Sequence, residues 1–161
     1  MIDKVEIERQ LAAKRVVHFL ENQAGIDLLP AAASRFLTVV HANTGYYFRM
    51  IGKGRSRYVY EIIQPDFDLG LVLKLGNKLS NEREREFTRR YPEDWARIYG
   101  WFDYATISER ASMVAGFDDP RILPKEFQAR VAELAKRYEA ISDVGFIDER
   151  IVLVGSSVRL K

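Results

Sequence analysis

Two periods of hydrophobic and polar positions alternate along this 161-residue chain. Over residues 3–22 the period is helical: Val5, Leu11, Ala12, Val16, Phe19 and Leu20 gather on one face and charges take the rest. A helix is predicted there, ended by Gly25. Pro30 opens a second helix, with residues 31–41 as its body and Phe36, Leu37, Val39 and Val40 as its apolar side, closed by residues 43–45. The pair is expected to prop a sheet, to pair with another copy or to bind a partner. The period then falls to two. Residues 46–51 and 57–63 predict two strands, and Tyr58, Tyr60 and Ile62 alternate with Val59, Glu61 and Ile63 in the second. Gly52 and Gly54 lie between them and predict a tight turn. Residues 71–75 predict a third strand, apolar except for Lys74.

Residues 80–90 predict a short charged helix, capped by Ser80 or Asn81 and followed by the helix breaker Pro92. Residues 96–102 and 105–111 predict a hairpin about Asp103 and Tyr104, and residues 112–123 a linker. Residues 124–139 predict a long helix whose stripe is Phe127, Val131, Leu134, Ala135 and Tyr138. A short hairpin is expected from residues 144–147 and 150–154, with Asp148 and Glu149 as its turn. The sum is an α+β fold with an antiparallel five-stranded sheet, a charged helix, a long helix, a short hairpin and two N-terminal helices. Residues 1–45 are expected to form a helical extension and residues 46–161 one compact unit.

Composition narrows the chemistry. Hydrophobic content of 47% and charged content of 30% describe an ordinary globular domain. A net charge of +2 gives no global pull towards nucleic acid or membrane. The lack of cysteine excludes disulfides and thiolate metal sites. The only histidines are His18 and His41, so a histidine metal centre is not expected, and His18 is expected at the edge of its helix face. No apolar run approaches the roughly 20 residues of a membrane span. The first residues do not read as a secretory signal, and a cytoplasmic location is expected.

One constellation carries candidate chemistry. Gly52-x-Gly54-x-x-Arg57-x-Val59, followed by Val72-x-Lys74, resembles the opening of the protein-kinase-like fold. That family lays a glycine-rich loop over nucleotide phosphates and carries a lysine on its third strand. The resemblance implies a nucleotide site of Gly52, Gly54, Val59 and Lys74, with ATP and magnesium as its cofactors. It also implies a glutamate from the charged helix facing Lys74. Glu86 is the first choice and Glu82, on the same face at i, i+4 spacing, the second. The alternating signs of residues 81–86 equally suit a solvated face. Glu109, Arg110 and Ala111 would form the hinge whose backbone bonds the adenine. Arg55 and Arg57 flank the loop tip, where solvated turn residues are expected.

The later motifs depart from the family. The loop of residues 139–146 has no His-Arg-Asp triplet, and Phe146 stands at the asparagine position. Gly155 stands where the metal-binding aspartate belongs. Phosphoryl transfer depends on that metal, so its loss removes most of the rate. The resemblance therefore implies a degenerate, truncated, pseudokinase-like domain. Its expected function is a non-catalytic binding module, a small regulator or inhibitor that contacts a macromolecule, expected to be a protein, or its own copy. The alternative is an ATP-binding protein or phosphotransferase with an atypical metal site at Asp143 or Asp148. A third reading is nucleic-acid binding by Arg49, Lys53, Arg55 and Arg57 among Tyr46, Tyr47, Phe48, Tyr58 and Tyr60. Core and cross-strand packing explains those aromatics more simply.

Overall fold

The structure, a computed structural model, describes residues 3–22, 30–53, 57–113, 124–141, 143–155 and 158–161. It is α+β, with four helices and an antiparallel five-stranded sheet among the described residues. The chain divides into two units, one of residues 1–83 and 98–110, the other of residues 84–97 and 111–161.

The first unit opens with α1 (Lys4–Glu21) and α2 (Pro30–Thr44). Asp3 caps α1 by accepting a hydrogen bond from the Val5 backbone N–H at 2.9 Å. Gly25, the expected helix end, lies outside the described residues. The strands β1 (Tyr47–Lys53), β2 (Arg57–Ile63) and β3 (Leu71–Gly76) follow. The helix α3 (Lys78–Arg90) comes next, and then the hairpin of β4 (Ile98–Phe102) and β5 (Ala105–Glu109). The sheet order is β1-β2-β3-β5-β4. Alternation sorts the strands into two faces. Tyr60, Ile62, Leu71, Leu73, Leu75, Ala105 and Ile107 join one core with Ala12, Ala13, Val16 and Leu20 of α1 and Leu37 and Val40 of α2. The N-terminal helices thus prop the sheet. Gly100 lets α1 cross β4 closely, since an added Cβ would meet Val17 at 3.0 Å and Ala13 at 3.3 Å.

The boundaries of β1 and α3 differ from the sequence reading. The strand β1 continues through Gly52 and Lys53. Gly52 pairs with Val59 next to a bulge and is not part of a turn. The helix α3 starts at Lys78, because Asn77 accepts a hydrogen bond from the Ser80 N–H at 3.1 Å and so caps it ahead of Ser80 and Asn81.

The second unit holds the end of α3 and the two-residue strand β6 (Ser112–Met113). It continues through α4 (Lys125–Arg137), β7 (Tyr138–Glu139), β8 (Asp143–Ile147), β9 (Arg150–Val154) and β10 (Arg159–Leu160). The expected linker thus begins as a strand, with Ser112 paired to Phe146 and Met113 to Gly145. The rest of that linker lies outside the described residues. The expected hairpin forms as β8 and β9. The long helix is shorter than its stripe suggested. It ends at Arg137, and Tyr138 turns extended to pair with Leu160. Phe87, Trp95, Leu134, Tyr138, Val144, Ile151, Leu153 and Val158 make the core, with Phe127 and Val131 packed against it. Ala135 is exposed.

A buried carboxylate organises this core. Asp94 is 1% exposed. It accepts hydrogen bonds from Arg130 at 2.7 Å, Arg137 at 2.6 Å and the Tyr138 hydroxyl at 2.7 Å. Its backbone carbonyl accepts from the Leu153 N–H at 2.7 Å. The Trp95 indole N–H donates to the Tyr138 hydroxyl oxygen at 3.3 Å, and the Phe87 ring stacks on Trp95 at 5.2 Å. Burial raises the Asp94 pKa, but the bonds from Tyr138, Arg130 and Arg137 outweigh it and hold the carboxyl below its ordinary value. Burial first, and Asp94 second, push the Tyr138 phenol up.

Asp94→Ala removes the anion that Arg130 and Arg137 share and should cost about 1.5–3 kcal/mol, measured by urea unfolding. The folded carboxyl titrates below the unfolded value of about 3.9. Its contribution is therefore complete above that value and is lost as pH falls through the folded one. Acid unfolding should lose this component in the Asp94→Asn variant.

Candidate functional site

The sheet face away from the two N-terminal helices carries the polar residues. Register places Gly52 opposite Val59, Val59 opposite Lys74, Lys74 opposite Thr106 and Thr106 opposite Trp101. Three residues named from the sequence, Gly52, Val59 and Lys74, thus share one cross-strand row. The neighbouring row runs Arg49, Glu61, Val72, Ser108 and Ile98. Both rows lie on one face, since residues two apart on a strand point the same way.

Lys74 sits on the central strand and is only 7% exposed, which is rare for a lysine. Thr106 and Ser108 beside it on β5 are fully buried, and neither hydroxyl has a hydrogen-bond partner. Neither is held by a general base, so neither is an activated nucleophile. The three side chains together form a donor-rich strip that suits an oxygen-bearing group better than bond-making chemistry.

The charged residues around this strip are tied into the fold. Arg57 is 5% exposed, which corrects the expectation that it is a solvated turn residue. Its guanidinium donates to Asn81 Oδ1 at 3.2 Å, and Asn81 Nδ2 donates to the Asp103 carbonyl at 3.2 Å. Glu61 accepts from both Arg49 and Arg110. Arg110 also donates to Asp68 at 2.5 Å, a bond that holds the Asp68 carboxyl below its ordinary pKa against the effect of burial. At the expected hinge, the Glu109 carboxylate lies 3.9 Å from Arg9 of α1. The Arg110 N–H is taken by the Gly70 carbonyl at 2.8 Å.

The remaining sequence candidates fall elsewhere. Glu86 is on the solvent side of α3 and pairs with Arg89 at 2.5 Å, which depresses its carboxyl pKa. Glu82 is half-exposed and lies 4.0 Å from Lys78. The buried glutamate of the helix is Glu84, between the two that were chosen. Gly54 and Arg55 lie outside the described residues. Asp143 opens β8 opposite Val154, and its side chain lies outside the described set. Asp148 is a hairpin turn residue with a left-handed backbone (φ 55°), exposed to solvent. Phe146 is a β8 residue paired with Ile151. Gly155 has a φ of 117°.

Among the described residues, no three His, Cys, Asp or Glu side chains gather as metal ligands. No helix among them is long and apolar enough to cross a membrane. Of the aromatic residues near the glycines, Tyr46 and Tyr60 are in the core and Tyr58 packs against it, with Lys53 over the Tyr58 ring at 5.6 Å.

Thr106 and Ser108 were missed by sequence reasoning. The alternation of residues 105–109 carried the signal, since Ala105 and Ile107 are apolar and leave both hydroxyls on the opposite face. A buried hydroxyl without a partner is destabilising. Thr106→Val keeps the shape and removes that group, and should raise stability by about 1 kcal/mol in urea unfolding. No family model, curated protein or solved structure matches this chain.

Proposed function

We propose that this chain is a kinase-lobe-like binding module that acts by contact with a protein partner and does not transfer phosphate. The observation that carries the reading is the use of charge around Lys74. On that face Arg57 is bound to Asn81 and Glu61 is shared by Arg49 and Arg110, and on the opposite face Glu109 is paired with Arg9. Groups that would serve a nucleotide are spent on holding helices and strands together. The sequence adds that Gly155 offers no carboxylate for a metal.

A surface for such contact is present in the first unit. The strand β1 is one end of the sheet order, so among the described residues one of its edges has no strand beside it. Tyr47, Met50 and Ile51 on it are each about half exposed. An apolar end strand suits strand addition by a protein, in which backbone bonds give affinity and alternate side chains give specificity.

A second reading keeps ATP on the polar face, and the buried Lys74 with the two unpaired hydroxyls favours it. Thermal melting separates the two. Ligand at 100 times its dissociation constant adds about 2.7 kcal/mol, which is several degrees for a domain of this size. The expected result is no shift with millimolar ATP and magnesium, in the wild type or in Lys74→Met. Ile51→Asp should release a protein partner held by the wild type while leaving the melting temperature unchanged. A rise with ATP that Lys74→Met removes would overturn the proposal.

A further inference from the structure

The sheet ends at β4 on the side away from β1, so among the described residues the outer edge of β4 also has no strand beside it. Proteins often blunt such edges with a charge or a proline in the strand. Ile98-Tyr-Gly-Trp-Phe102 carries neither. Its one irregularity is a bulge at Tyr99, and Gly100, Trp101 and Phe102 then pair in step with Ile107, Thr106 and Ala105 of β5. The Tyr99 side chain is tied to α1, where its hydroxyl donates to Glu6 at 2.6 Å.

This edge lies in a groove of about 810 Å³ whose other wall is α1. Residues 98–101 line it from the strand, and Lys14, Arg15, His18 and Glu21 are among its lining from the helix. The two sides of the groove differ in chemistry. Lys14 and Arg15 are exposed, and among the described residues neither is held in an ion pair. The His18 ring meets Asn22 at 3.3 Å. Glu21 is the one acid of the lining and is the last residue of α1. The helix side is therefore cationic. Trp101 is 51% exposed and pairs with Thr106, which places it on the sheet face away from α1. A strand laid beside β4 would send alternate side chains to these two sides.

We propose that the edge of β4 accepts, as an added strand, an extended segment of a protein partner in which acidic and apolar residues alternate. The acidic side chains meet Lys14 and Arg15, the apolar ones cover the Trp101 indole, and backbone bonds to β4 hold the register. A single-stranded nucleic acid could use the same cations and ring. It has no alternating backbone donors and acceptors to match a strand edge, and Glu21 opposes its phosphates. The site stands independently of the contact at β1.

The test follows the fluorescence anisotropy of a labelled short peptide of alternating valine and glutamate with the full-length chain. The matching valine–lysine peptide is the control. The acidic peptide should bind and the basic one should not. Lys14→Glu combined with Arg15→Glu should leave the melting temperature unchanged, since both side chains are exposed. It should weaken the acidic peptide by about tenfold, the value of two exposed ion pairs. Methylation of alternate backbone nitrogens of the peptide tests strand addition without altering the protein. Only one alternate set of N–H groups can face β4. Methylating the valine set or the glutamate set should therefore differ, one abolishing binding and the other sparing it. Equal effects of the two sets would overturn the proposal, as would equal binding of the basic peptide or no binding of the acidic one at about 1 mM. Unchanged affinity in the double variant would overturn it too. Displacement of the peptide by oligothymidylate would overturn it in favour of single-stranded nucleic acid.

Discussion

The strand β3 is the constraint on which the first unit depends. Both of its faces are buried, so every residue from Leu71 to Leu75 must match its surroundings. Leu71, Leu73 and Leu75 enter the core under α1 and α2, and Val72 and Lys74 face the other way. A slip of one residue would drive Lys74 into that core and move three leucines out of it. The lysine therefore pins the register of the central strand as firmly as the leucines do. Neighbouring strands inherit this choice through pairing, since Tyr60 lies opposite Leu73 and Thr106 opposite Lys74. The apolar core and the polar strip are two consequences of one alternation.

Much of this was legible in the sequence. Alternation in residues 57–63 and 71–75 gave the strands and their faces, and the apolar spacing of residues 3–22 gave α1. What escaped was set by partners distant in the chain. Arg57 looks like a turn residue, but period two puts it on the face of Val59 and Glu61, where Asn81 meets it. Asn77 was overlooked as a cap because Ser80 and Asn81 are equally good cap types. Tyr138 fits a helical stripe four residues after Leu134, and its side chain is buried as expected. Its backbone is extended because β10 supplies a partner for it. The choice among Glu82, Glu84 and Glu86 rests on which helix face is buried, and a run of alternating charge hides that face.

Electrostatics works differently in the second unit. Asp94 is charged, buried and bonded by two arginines and a tyrosine. A carboxylate in such a place is tolerable only because all its acceptors are used. The arginines come from the second and last turns of α4, and the tyrosine follows that helix directly. The carbonyl of the same residue fixes β9 through Leu153. One residue thereby sets the position of a helix, the turn that ends it and a strand. Hydrophobic packing of Trp95 and Phe87 gives this core its energy, and Asp94 selects one arrangement of it.

The contrast between these charges and the unpaired hydroxyls bears most on function. In a fold where Arg9, Arg49, Arg57, Arg110, Arg130 and Arg137 all have partners, a buried group without one stands apart. Tyr60, Thr106 and Ser108 are of this kind. The latter two neighbour Lys74, whose burial accounts for a polar face at that position, and small hydroxyls are the cheapest side chains to place beside it. Tyr60 has no such excuse. Phenylalanine would fill the same volume in the apolar core without an unpaired oxygen.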